Sequence, residues 1–102
     1  MDAFVALADP TRRRIVEALA AGPLASGEIA ARFPISAPAV SQHLKVLKAA
    51  KLVRVRSEAQ RRIYELDPDG VEAVAGWADG LRRHWAERLD ALETGLKGEG
   101  DG

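Results

Sequence analysis

The chain has no cysteine among its 102 residues. Disulfides and thiolate metal sites are therefore excluded. Long apolar runs are missing too, and none approaches the roughly 20 residues needed to cross a bilayer. The opening stretch MDAFVALADP carries an acid and no basic segment, so it does not read as a signal peptide. A cytoplasmic protein that makes no use of a membrane is the expectation. Enzymatic constellations are equally scarce. There is no phosphate-binding glycine loop and no Ser/His/Asp or Cys/His set, and Glu17, Glu28 and Glu65 stand without a paired acid. No enzyme activity, cofactor or metal is expected.

Net charge is also absent, with 15 basic against 15 acidic side chains. The distribution, however, is uneven. Residues 1–35 balance four against four, whereas residues 36–66 hold seven basic (Lys45, Lys48, Lys51, Arg54, Arg56, Arg61, Arg62) against two acidic. Residues 67–102 reverse this, with four basic against nine acidic. A basic middle creates a field that draws phosphate to one side of a neutral molecule. The length suits one domain with a modest core. Apolar residues at 47% and charged residues at 29% are ordinary for a soluble chain.

What is present centres on Ser36 to Ala50, SAPAVSQHLKVLKAA. Val40, Leu44 and Leu47 recur at i, i+4 and i+7, which predicts a helix with one buried side. Pro38, Ser41, Gln42 and Lys45 fall opposite, offering hydroxyl, amide and cation without a carboxylate. Ser36 is the expected N-cap, Pro38 is tolerated in the first turn, and Ile35 can staple onto Val40. Such a face suits a major groove, where amides and hydroxyls read base edges. A plain solvated helix face is the competing interpretation of these residues alone.

The flanks sharpen the reading. Residues 2–8 predict a short apolar helix whose Phe4, Val5 and Leu7 need a docking surface. Asp9-Pro10 starts a helix running to about Ala21, with Ile15, Val16 and Leu19 inward and Gly22-Pro23 as its stop. Arg12, Arg13 and Arg14 are either phosphate contacts or a solvated cluster. Ser26 is the expected cap of a short helix to Arg32, with Ile29, Ala30 and Phe33 inward. Two helices joined by a short turn make a helix-turn-helix, in which the second reads DNA. After Ala50 the period changes to 2: Val53 and Val55 alternate with Arg54 and Arg56, and Ser57–Gln60 can turn. Ile63 to Leu66 completes a β-hairpin bearing Arg56, Arg61 and Arg62. A basic hairpin after a reading helix suits a wing that meets phosphate or minor groove. A charged edge that resists strand-to-strand aggregation is the competing interpretation.

A last helix is predicted from about Asp69 to Glu93, with Val71, Val74, Ala78, Leu81, Trp85 and Leu92 at 3–4 spacing and Leu89 beside them. Its tryptophans and leucines suggest a partner surface. The glycine-rich end, 94–102, is expected to be disordered. The fold expected is mainly α with a small β-hairpin, a winged helix-turn-helix in the order α-α-α-α-β-β-α, over residues 1–93.

The stretches LADPTRRRIVEAL and SGEIAARFPISAPAVSQHLKVLKAAKLVRVRSEAQRRIYELDP resemble the ArsR/SmtB family of bacterial winged-helix repressors. The likeness covers residues 3–93, and its most specific run is S-x-x-x-V-S-Q-H-L-K-V-L followed by L-V-x-V-R and R-R-x-Y-x-L. The resemblance implies a homodimer, built through the first and last helices, that binds a near-palindromic double-stranded operator and represses transcription. Candidate DNA contacts are then Ser36, Pro38, Ser41, Gln42, His43, Lys45, Arg56, Arg61 and Arg62. Candidate dimer contacts are Phe4, Leu7, Leu81, Trp85 and Leu89. His43 lies on the flank of the reading helix, where it either bonds DNA or packs locally against the wing.

Three departures from the family's pattern stand out. Lys51 and Ala59 occupy positions where glycine is common, the first in a left-handed turn. The cysteine pair of metal-sensing members has no counterpart in Gly27–Arg32. Asp79 and His84 are five apart on a helix, too far round to share a metal. A small-molecule or protein effector is left open by the residues. The alternative function is a winged-helix module for protein interaction, without specific DNA recognition.

Overall fold

In the computed structural model, backbone is described for residues 2–101 and side chains for residues 2–95. Asp2 opens the single turn α1 (Ala3–Ala6), its carboxylate accepting from Phe4 N–H at 2.7 Å. Asp9 does the same for α2 (Pro10–Ala20), accepting from Arg12 N–H at 2.9 Å. That backbone donor holds the Asp9 carboxyl below the usual carboxylate range. Ile15 and Leu19 of α2 are buried, and Val16 is half-buried.

Between α2 and the next helix the chain adds an element that the sequence pattern did not predict, β1 (Leu24–Ala25). Ala25 is paired with Ile63, which fixes it in extended backbone. It therefore occupies the N-cap position of α3 (Ser26–Arg32), and Ser26, the expected cap, lies inside the first turn. The Glu28 carboxylate accepts from Ala25 N–H at 3.0 Å, half of a capping box.

The helix α4 (Ala37–Ala49) starts as expected, with Ser36 Oγ accepting from Ala39 N–H at 3.2 Å. Val40, Leu44 and Leu47 are buried. Its end is a Schellman closure: Leu52 N–H donates to Leu47 O and Lys51 N–H to Lys48 O, both at 3.0 Å. The residue at the left-handed position is Lys51, with φ 59°.

β2 (Val53–Glu58) and β3 (Arg61–Leu66) form the hairpin, and β3 is central in the sheet order β1-β3-β2. Pairing of Glu58 with Arg61 leaves only Ala59 and Gln60 in the loop, a tighter tip than a turn over Ser57–Gln60. Ala59 has φ 58° and Gln60 does not have a positive φ, the pattern of a II′-type hairpin turn. Val53 and Tyr64 share one face, and Ile63 is buried on the other. Helices α2 and α3 lie against β3, and α4 lies against β2. The winged helix-turn-helix fold is as expected, with one short strand added to its order.

The last helix, α5, spans Pro68–Asp101. Backbone helix thus continues past Glu93 through 94–101, where glycine content predicts disorder; Gly102 lies outside the described residues. Each added residue closes one more backbone bond, which offsets the cost of glycine locally. Contacts divide the chain into two compact units, Met1–Glu72 and Ala73–Gly102, where the sequence predicts a single domain over 1–93. The second unit is one helix and has no second layer to build a core. Within it Asp79 accepts from Arg82 at 2.6 Å and from Arg83 at 2.7 Å, i+3 and i+4 pairs that support a helix.

Candidate nucleic-acid interface

Burying Val40, Leu44 and Leu47 turns the opposite side of α4 to solvent. Pro38, Ser41, Gln42 and Lys45 are all exposed. Ser36 is exposed as well, though its hydroxyl is engaged in the cap. No acid lies on this face, so it presents donors and a cation to whatever it meets.

The wing lies beside it. A groove of about 240 Å³ is lined by Ser41, Leu44, Lys45, Lys48, Arg62 and Tyr64, so the helix face and β3 share one concavity. Three cations converge there. Lys48 belongs to this set although it is not among the expected contacts; its spacing from Ser41 and Lys45 (i+7 and i+3) was the available signal.

The wing arginines are not equivalent. Arg56 pairs with Glu58 at 2.9 Å and lies 3.8 Å from Glu65, while Arg54 bonds Glu65 at 3.2 Å. Arg61 bonds Glu28 at 2.8 Å, which pins the wing to the start of α3. Each is at least half-exposed or close to it, so these pairs contribute little stability. They do mean that Arg56 and Arg61 are already engaged by carboxylates. Arg62 has no ion pair or hydrogen bond among the described residues and is available directly.

Arg12 is half-buried and Arg13 and Arg14 are exposed, and the first two are tied to backbone. Arg12 Nε donates to Ala6 O at 2.6 Å and Arg13 Nη1 to Leu7 O at 3.2 Å, so both satisfy carbonyls at the end of α1. Arg12 Nη1 also lies 3.5 Å from His43 Nδ1. His43 is half-buried, with Nδ1 3.9 Å from Asp9 Oδ2. Its local packing is thus toward the α1–α2 junction and not toward the wing. No sequence pattern could show this, because the partners are backbone carbonyls six residues back and a ring 31 residues ahead.

The apolar candidates divide by element. On α1 Phe4 is exposed and Leu7, at its C-cap, is half-buried. On α5 Leu81, Trp85 and Leu89 are 56%, 58% and 44% exposed, and Trp77 and Leu92 are exposed too. These five lie within about 120° of one another around the helix axis. His84 is exposed on α5, and Asp79 is committed to two arginines. Among the described residues no three His, Asp or Glu side chains gather where they could hold a metal ion. Among them also, no helix is long and apolar enough to cross a membrane.

Comparison with known proteins agrees with this geometry. A family model described as a helix-turn-helix domain matches residues 7–56. The HTH-type transcriptional regulator Rv2034 of Mycobacterium tuberculosis is 52% identical over 99 residues, covering 97% of this chain and 90% of that protein. The transcriptional repressor SdpR of Bacillus subtilis is 36% identical over 74 residues, 72% of this chain and 82% of that protein. Among solved structures, an ArsR-like transcriptional regulator from Rhodococcus sp. RHA1 superposes with a TM-score of 0.71 at 27% identity, covering 89% of this chain and 86% of that one.

Proposed function

The chain belongs to the ArsR/SmtB family of DNA-binding transcriptional regulators, a family of regulators and not of enzymes, and we propose that it is a homodimeric repressor of a near-palindromic operator. The observation that carries the reading is the exposed, acid-free face of α4 beside a groove lined by Lys45, Lys48 and Arg62. A helix of this kind enters a major groove, where Gln42 pairs with adenine and Ser41 and Lys45 reach bases or phosphate. Arg62 and Lys48 neutralise backbone phosphates alongside, and Arg56 and Arg61 join them on exchanging their carboxylates.

Two copies are needed because one helix spans only a few base pairs. The exposed stripe of Leu81, Trp85 and Leu89 on α5 supports a second copy as its partner, with Phe4 and Leu7 of α1 contributing. The protein acts in the cytoplasm, where the DNA is. Repression follows if the operator overlaps a promoter, and a small molecule or a second protein would release it. A mobility shift on the DNA upstream of its own gene, against random DNA of equal length, tests the reading. A retarded band that random DNA does not compete away is expected; equal competition would refute specific recognition.

A further inference from the structure

His43 sits next to Gln42 on α4, and one of its two ring nitrogens is accounted for. An arginine has five donors and no acceptor, so any hydrogen bond between Arg12 Nη1 and His43 Nδ1 runs from the guanidinium to the ring. The 3.5 Å separation allows that bond. The competing arrangement, Nδ1–H donating to Asp9, is less well served, because Asp9 Oδ2 is 3.9 Å away and already accepts from Arg12 N–H. With Nδ1 as acceptor, a neutral imidazole must carry its proton on Nε2.

We infer that Arg12 is a positioning residue for DNA recognition, holding His43 in its Nε2–H form and so presetting a hydrogen-bond donor on α4. This rests on the proposal that α4 enters the groove. The same guanidinium takes Ala6 O at 2.6 Å and Val5 O at 3.5 Å. One planar fork therefore ties the end of α1 to the flank of the reading helix. Lysine, a point charge on a flexible stem, cannot hold those directions together. A fixed tautomer matters because a phosphate or a purine N7 only accepts. An Nδ1–H imidazole would present a lone pair to it.

The test has two independent parts. Nitrogen-15 spectra of the imidazoles in the full-length protein without DNA, above pH 8, report the tautomer directly. Nε2–H is expected for His43, and an Nδ1–H form or an even mixture would overturn the inference. Affinity for the retarded DNA fragment is then measured for His43→Gln, whose amide donor lies near the Nε2 position, and for His43→Asn, whose amide lies near Nδ1. His43→Gln should stay within about threefold of the parent and His43→Asn should lose about tenfold, the loss of one good hydrogen bond. Equal affinities for the two variants would also overturn it. Arg12→Ala should lose about tenfold in the parent and less than about twofold in the His43→Gln background, where no tautomer needs holding. A purely structural loss of α1 docking would persist in both backgrounds. If the parent binds no DNA, the proposed function fails, while the tautomer still decides what Arg12 does.

Discussion

The Gly70 amide donates to the Lys51 carbonyl at 2.9 Å, and a β-carbon on Gly70 would overlap that oxygen. The two residues join the end of α4 to the start of α5. Lys51 has φ 59° and its carbonyl is aimed by that left-handed turn, so the strain sits where the contact is made. Gly70→Ala should destabilise by about 2 kcal/mol, within the usual range for a forced overlap. Lys51→Gly should do the reverse. Relief of left-handed strain is worth about 1–2 kcal/mol, and the added freedom of glycine costs about 0.5–1. A net gain of about 0.5–1 kcal/mol follows, or several degrees in thermal midpoint. Thermal unfolding of the two variants checks both signs.

Gln42 and Arg62 should fail in different ways. Gln42→Ala removes a base-reading amide and should relax sequence preference by about 1–3 kcal/mol at one position. Arg62→Ala removes a cation that no carboxylate engages among the described residues and should weaken cognate and random DNA alike. It should also lower the salt slope by about one unit. Fluorescence anisotropy on both DNAs across a salt series separates the two. Identical behaviour of the variants would contradict the assignment of roles.

The part of the molecule that was legible in the sequence is the part where local signals and tertiary packing coincide. Ser36, Pro38 and the Val40–Leu44–Leu47 stripe specify α4 by themselves, and the structure keeps every one of them in place. β1 was not legible, because two residues cannot display a period, and its pairing with β3 moved the cap of α3 from Ser26 to Ala25. The ion pair of Arg61 was equally hidden, since Glu28 is 33 residues away, whereas Glu58 stands only two residues from Arg56. Charge counting along the chain marks a basic wing, but only the fold distinguishes Arg62, unpaired among the described residues, from Arg56 and Arg61, which carboxylates engage.

Acid should loosen the α1–α2 junction. The Arg12 amide lowers the Asp9 pKa in the folded state; loss of solvation opposes it, and charge attraction from His43 and Arg12 adds to the lowering. A depressed carboxyl contributes stability that is present above its unfolded value, near 3.8. That contribution disappears as pH falls through the lower folded value. Asp9→Asn keeps a capping oxygen and abolishes this titration. Urea midpoints measured from pH 5 down to pH 2 should fall less steeply for the variant than for the parent.

Charged residues in place of Trp85 and Leu89 should give a monomer that retains its helical signal. Both side chains are exposed on α5 and would be covered by a second copy. Sedimentation equilibrium should show one species of single-chain mass, close to 11.0 kDa apart from the substitutions. Operator affinity should fall by far more than twofold, because tethering makes the second helix's contact intramolecular. A double variant that stays dimeric would place the subunit contact elsewhere.

Hydroxyl-radical footprinting of the parent protein on the DNA upstream of its gene is the most direct measurement of all. Two copies of α4 in successive major grooves, about 34–36 Å apart, should protect two patches whose centres lie about 10–10.5 base pairs apart. A two-fold relation between the copies should make the two patches mirror each other in sequence. A single short patch at saturating protein, or protection spread evenly along the fragment, would contradict recognition by a pair of reading helices.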